Sequence, residues 1–224
     1  MRTTLTLGNL GAIVEGTHGN PSEILGPHEV NDEGRTWLAI RAFLPDTQQA
    51  WVLDQAHGTP RPMRRLHPAG FYEAICPCQS SETPKPYRLQ VADTSGNMTT
   101  MDDPYAFPTF FTDYDLYLLG QGRHYRSFEK LGAHRRVVDG VAGINFAVWA
   151  PNASRVSVVG DFNQWDGRRH ALRKHFSSGL WEIFLPGLSD GHLYKYRIHP
   201  QDGEVIEKAD PYAFRSEVPP KSAS

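Results

Sequence analysis

The 224-residue sequence has little cysteine, few segments with helical periodicity and no long apolar run. Its two cysteines, Cys76 and Cys78, are separated by one proline. On a strand such positions face the same way, and so close a pair rarely bridges. With no second pair, neither a zinc site nor a secreted disulfide scaffold is expected, and a reducing cytoplasm is the expected compartment. No apolar stretch approaches the roughly 18–20 residues of a membrane span. The N-terminal MRTTLTLGNLGAIVEGTHGN is rich in Gly and Thr and does not read as a signal peptide. Lys and Arg total 23 against 25 Asp and Glu, a net charge of -2 without a dense basic run. Nucleic acid and anionic membrane are therefore not expected as partners. The ten histidines are scattered, with no pair at metal-ligand spacing. A Gly-rich phosphate loop and a nucleophile elbow are missing too. Asp102 and Asp103 are adjacent, so on an extended chain their carboxylates point apart. No catalytic residue, cofactor or metal is expected.

What the sequence does have is strands. Its 17 Pro and 20 Gly punctuate short runs. In GINFAVWAP (143–151), Ile144, Phe146 and Val148 share a face; in GLWEIFLPG (179–187), Trp181, Ile183 and Leu185 do, which makes Trp181 a core residue. HLYKYRI (192–198) and VSVVGDF add two more runs. Such spacing predicts an antiparallel sandwich. The best helical segment is TDYDLYLL (112–119), with Thr112 as N-cap and Gly120 as stop, and SFEKL (127–131) adds one turn.

The chain also repeats itself. DPYAF occurs at 103–107 and at 210–214. GFYEAICP (70–77) aligns with GLWEIFLP (179–186), YRL (87–89) with YRI (196–198), and FLPD (43–46) with WAPN (149–152). The matches run in order at nearly constant offset, so the chain is two copies of one module. The expected organisation is an all-β pair of sandwiches: residues 1–107, a partly helical linker over 108–130, and residues 131–224.

The copies diverge in one loop. After AWVLD the first copy reads QAHGTPRPMRRL; after RVSVVGD the second reads FNQWDGRRHALRK. Only the second has a tryptophan there. An indole is costly to leave in water, yet Trp165 sits in turn chemistry. Two readings stand. Its flat face suits the C–H face of a glucose ring, with Asn163 and Asp166 meeting hydroxyls. Alternatively Trp165 covers the sandwich edge while Asn163 and Asp166 shape the turn. Lys195 likewise is either a three-donor group for sugar hydroxyls or part of a solvated strand face with Arg197.

The pieces GQGRHYRSFEKLGAH, FAVWAPNASRVSVVGDFNQWDGRRH and LYKY followed by DPYAF resemble the N-terminal region of bacterial 1,4-α-glucan (glycogen) branching enzymes. The second module is similar to carbohydrate-binding module family 48, the first to the extra N-terminal module of longer branching enzymes. The resemblance implies an immunoglobulin-like β-sandwich for each module. It implies a parent glycoside hydrolase family 13 transferase that moves α-1,4-glucan segments to 6-hydroxyls, using two carboxylates on a (β/α)₈ barrel. No barrel is present, so this segment is expected to be inactive by itself, positioning glucan and influencing transferred chain length. The expected partners are α-1,4-glucan (glycogen, amylose, maltooligosaccharide) and the catalytic barrel of the parent. Similarity to the glycan-binding modules of kinase β-subunits implies sugar contacts at Trp165, Asn163 and Lys195. A second stacking tryptophan of those modules would fall near 202–204, where the sequence is Asp-Gly-Glu. A free-standing glucan-binding module, or the N-terminal part of a debranching enzyme or trehalohydrolase, is the alternative.

Overall fold

The computed structural model describes residues 3–32, 34–54, 59–77, 87–176 and 178–224; Cys78 lies outside the described residues. The chain forms two compact units, Met1–His18 with Ser22–Ala106, and Gly19–Pro21 with Phe107–Ser224. Both are antiparallel β-sandwiches.

The first unit contains β1 (Gly26–Asp32), β2 (Arg35–Phe43), β3 (Thr47–Asp54), β4 (Pro60–Pro62), β5 (Arg64–His67), β6 (Phe71–Pro77), β7 (Tyr87–Asp93) and β8 (Met98–Met101). One sheet runs β1-β2-β6-β5 and the other β4-β3-β7-β8. The second unit contains β9 (Gly132–Val138), β10 (Val141–Trp149), β11 (Ala153–Gly160), β12 (Arg173–His175), β13 (Leu180–Pro186), β14 (Tyr194–Pro200) and β15 (Ile206–Lys208). Its sheets run β9-β10-β13-β12 and β11-β14-β15. Position for position this is the first unit again, with one exception. Where β4 pairs Pro62 with Trp51 on β3, the described residues of the second unit hold a single bridge, Ala171 to Ser157 on β11.

The repeat reaches further than the sequence matches indicated. A helix not expected from the sequence, α1 (Leu7–Glu15), opens the first unit. The Thr6 hydroxyl caps it by accepting from Asn9 N, and Gly16 closes it at φ 71°. The expected helix, α2 (Asp113–Gly120), stands at the same place in the second unit, with Thr112 and Asp115 forming a reciprocal capping box. Leu10 and Ile13 of α1 pack with Leu25, Phe43 and Phe71. Leu116 and Leu119 of α2 pack with Phe111, Leu131, Ala147 and Leu180. Each such side chain contributes roughly 1.5–3 kcal/mol when fully buried. A 3-10 turn follows each helix, Pro21–Glu23 and Ser127–Glu129, before the first strand.

This covering explains a departure from simple alternation. Ile144, Phe146 and Val148 face the sandwich core as expected, but Asn145 and Ala147 between them are buried too. So are Glu182 and Phe184 beside Trp181, Ile183 and Leu185. Residues 107–120 lie over that second face: Phe107 and Phe110 stack against Phe184 at 4.9 and 5.7 Å. The DPYAF turns are also duplicated. Tyr87 donates to Asp103 at 2.5 Å and Tyr194 to Asp210 at 2.6 Å, while the second oxygen of each carboxylate accepts the backbone N–H of Tyr105 or Tyr212. Asp102 points the other way, to Arg88.

Candidate functional site

The loop after β11 is built from the strand outward. Val156 and Val158 face the core, yet Arg155, Ser157 and Val159 on the other face are also buried. The loop itself covers them. The Gly167 carbonyl accepts from Arg155 Nη2 at 2.9 Å and from Ser157 Oγ at 2.6 Å. Val158 N donates to His170 O and Leu172 N to Val156 O, which draws the loop back along β11. At Gly167 a Cβ would meet Arg197 Cδ at 2.9 Å, so a larger residue there would push the Arg197 side chain aside.

Asn163 holds the base of the loop. It is 3% exposed. Its Oδ1 accepts from Gly160 N at 2.9 Å, and its Nδ2 donates to Val158 O at 2.9 Å and lies 3.0 Å from His170 Nδ1. Burial, reinforced by the Arg169 charge and opposed by Asp166, pushes the His170 imidazole down to about 4. The ring is therefore neutral at pH 7, with Nδ1 free to accept from Asn163. Phe162 packs against Phe146, His170 and His192.

Trp165 sits at the turn of this loop. Its backbone N donates to Gly160 O at 3.0 Å. Gln164 and Trp165 are consecutive left-handed residues at φ 59° and 58°, a conformation costing on the order of 1–3 kcal/mol per residue. The surrounding fixed contacts hold it in place. The Trp165 side chain is half-buried, and its indole N–H has no hydrogen bond among the described residues. Burial alone would raise the Asp166 carboxyl. Hydrogen bonds from Arg168 and the charges of Arg168 and Arg169 outweigh it and hold the group below the usual range.

Lys195 comes to the same place from β14. It stands opposite Val159, the residue before the Gly160 on which Trp165 closes. Tyr194 and Tyr196 point into the core, and Lys195 and Arg197 point outward, as the alternation predicts. Arg197 is paired with Glu207 at 2.6 Å. The Lys195 ammonium has no ion pair or hydrogen bond among the described residues. The backbones of Trp165 and Lys195 thus meet the same end of β11, at Gly160 and Val159. The Asn163 amide is directed inward. The exposed turn 202–204 carries no aromatic.

The supporting residues Arg155, Ser157, Gly167 and His170 were not singled out from the sequence. Their signal was present in the small or polar residues of a strand otherwise rich in valine, which mark a covered second face. Among the described residues no cluster of His, Cys, Asp and Glu could hold a metal, and no helix is long and apolar enough to cross a membrane.

Comparison with known proteins agrees with this division. Residues 6–105 match the family model "alpha-1,4-glucan branching enzyme GlgB, N-terminal domain", and residues 130–213 match "Carbohydrate-binding module 48 (Isoamylase N-terminal domain)". The 1,4-alpha-glucan branching enzyme of Rhodopirellula baltica is 48% identical over 224 residues, all of this chain and 30% of its own length. The chain belongs to the branching-enzyme family, as its N-terminal region. The enzymes of Paramagnetospirillum magneticum (50% identical, 95% of this chain and 27% of that one) and Rubrobacter xylanophilus (47%, 95% and 28%) align in the same way. The chain thus spans under a third of the length of these curated relatives. In this branching-enzyme region the Trp165 loop and Lys195 lie within the part matched by the carbohydrate-binding module. Residues 107–129 lie between the two matched stretches and fold with the second unit.

Proposed function

We propose that this chain is the non-catalytic, glucan-positioning region of a cytoplasmic branching enzyme, whose barrel transfers α-1,4-glucan segments to 6-hydroxyls. Trp165 stacks on a glucose ring of glycogen or another α-1,4-glucan. Lys195 donates hydrogen bonds to the hydroxyls at the ring's edge. Asn163 acts through the loop it holds rather than by touching sugar. By keeping a glucan strand on the outer face of β11 and β14, the region influences the length of chain transferred.

What supports this reading is a half-buried indole and an ammonium without a partner among the described residues, carried by a loop and a strand that meet at Gly160 and Val159. Asp166, beside Trp165 in the loop, is bound to Arg168. Such a surface favours neither an anion-specific pocket nor an apolar ligand, and it fits a neutral polyol. With one aromatic, affinity in the millimolar range, about -4 kcal/mol, is expected.

Co-sedimentation with glycogen tests it. Trp165→Ala should weaken retention by about fivefold or more, roughly 1 kcal/mol of stacking, with the melting curve unchanged. Retention equal to the parent chain would reject Trp165 as the contact. Amylose incubated with the 224 residues should keep its iodine spectrum; a shift would reject the non-catalytic assignment.

A further inference from the structure

In the first unit, sheet β4-β3-β7-β8 carries a tryptophan on the face turned away from the core. Ala50 and Val52 on β3 and Leu89 on β7 belong to the buried core of that unit. Trp51 lies between Ala50 and Val52, so it stands on the opposite face of the strand. It is half-buried, and its indole N–H has no hydrogen bond among the described residues. A tryptophan that only packs is normally bonded at its nitrogen as well. The register supplies its neighbours. Trp51 stands opposite Pro62 on β4 and Gln90 on β7, and Gln90 stands opposite Thr100 on β8. Directly opposed residues share a face, so Pro62, Trp51, Gln90 and Thr100 form one row across the sheet. With neighbouring strands about 4.8 Å apart, the row from Trp51 to Thr100 runs roughly 10 Å, the length of a short oligosaccharide. The Gln90 amide and the Thr100 hydroxyl have no hydrogen bond among the described residues.

The repeat shows how differently the second unit uses the same row. Counted from Tyr87 and Tyr194, the paired tyrosines of the two DPYAF turns, Gln90 corresponds to Arg197. Through the ladders, Trp51 then corresponds to Ser157 and Thr100 to Glu207. Ser157 is bonded to the Gly167 carbonyl of the Trp165 loop, and Arg197 is paired with Glu207 at 2.6 Å. The second unit closes its row with a loop and an ion pair, whereas the first holds an indole, an amide and a hydroxyl there. Arg88, two residues from Gln90 on the same face, is paired with Asp102 at 3.2 Å.

We infer that this row is a second binding site for α-1,4-glucan, separate from the Trp165 loop. Trp51 stacks on a glucose ring, and Gln90 and Thr100 exchange hydrogen bonds with its hydroxyls. An aromatic surface edged by neutral donors and acceptors complements a neutral polyol. An anion would find no cation in the row, and an apolar protein surface would leave the amide and the hydroxyl desolvated without partners. The choice of α-1,4-glucan rests on the reading of this chain as the glucan-positioning region of a branching enzyme. With one site on each unit, a branched polymer engages both, and loss of either weakens retention on glycogen.

The test is a titration of the isotope-labelled 224-residue chain with maltoheptaose, followed by NMR at the indole N–H signals of its five tryptophans. The Trp51 signal, assigned through its own backbone in the unsubstituted chain, should move and saturate with a dissociation constant in the millimolar range. Trp165→Ala should leave that movement in place. Gln90→Ala should weaken binding at Trp51 about threefold or more at an unchanged melting curve, as loss of a hydrogen bond predicts. A Trp51 signal that stays fixed up to about 20 mM sugar, where a millimolar site is mostly filled, overturns the site. So does a movement that does not saturate, one that Gln90→Ala leaves at the parent's affinity, or one that disappears with Trp165→Ala and therefore reports the loop of the second unit. Movement at Trp51 with none at Trp165 would keep this site and reject the Trp165 contact. Silence at both would reject the glucan premise that the two share.

Discussion

Phe110 donates its backbone N–H to the carboxylate of Glu182, 72 residues later in the chain, at 3.1 Å. Glu182 is 2% exposed, and His175 at 2.7 Å and the Asn145 amide at 3.5 Å complete its surroundings. The first unit repeats the device: Thr3 donates its hydroxyl to the buried Glu73, which also pairs with Arg41. Each glutamate pins the segment that leads into the helix of its own unit.

Glu182→Leu should therefore free Phe110 and leave His175 and Asn145 without their acceptor. A cost of about 1–3 kcal/mol is expected, which lowers the melting transition of the second unit by several degrees. Glu73→Leu should shift the transition of the first unit instead. Differential scanning calorimetry separates the two. If both substitutions move the same transition, the pinning role fails.

Asn163→Ala should destabilise the second unit and weaken glycogen retention together, because Gly160 N–H and Val158 C=O lose their partner inside the protein. About 1–3 kcal/mol is expected. Asn163→Asp keeps the bond from Gly160 but sets a buried carboxylate oxygen against the Val158 carbonyl, and should cost at least as much. Trp165→Ala should separate the two readouts, losing retention at constant stability. Thermal melts run beside co-sedimentation would show it. Loss of retention by Asn163→Ala at unchanged stability would instead make Asn163 a direct contact.

His170 and Asp103 should make stability depend on acid in opposite directions. The folded His170 titrates at about 4, below its ordinary 6.5. Its contribution is therefore present above 6.5 and is lost as pH falls toward 4. Asp103 is the reverse case. Burial, opposed by the bonds from Tyr87 and Tyr105, raises it from 3.8 to about 6. Its contribution is present below 3.8 and is lost as pH rises through 6. Denaturation followed between pH 4 and 7 should show His170→Gln making the second unit less sensitive to acid than the parent, and Asp103→Asn making the first unit less sensitive to rising pH. A variant with the parent's slope would remove that residue from the account.

Much of this architecture was legible because strands and their repeat are written locally. Trp181 in phase with Ile183 and Leu185 declared its burial, and Thr112 declared the start of α2. Helix α1 was hidden by Gly8 and Gly11, which lower helix propensity, although its Thr6 and Gly16 caps are explicit and it lies one repeat ahead of α2. The second buried face of β10 could not be read from alternation, since the cover over Asn145 and Ala147 comes from a segment more than 25 residues away. At the candidate site, chemistry was legible and direction was not. Asn163 and Lys195 are both polar residues near Trp165, but only the fold shows that one is satisfied internally and the other is not.

The replacement of β4 by a single Ser157–Ala171 bridge has a practical consequence. An unpaired strand edge invites other chains to add to it, and in the second unit the Trp165 loop is what shields the free side of β11. Excising that loop to abolish sugar binding would therefore manufacture a sticky edge, and the resulting aggregates would be mistaken for a binding defect. The tryptophan can be probed by point substitution, but its loop also guards the solubility of the unit that carries it.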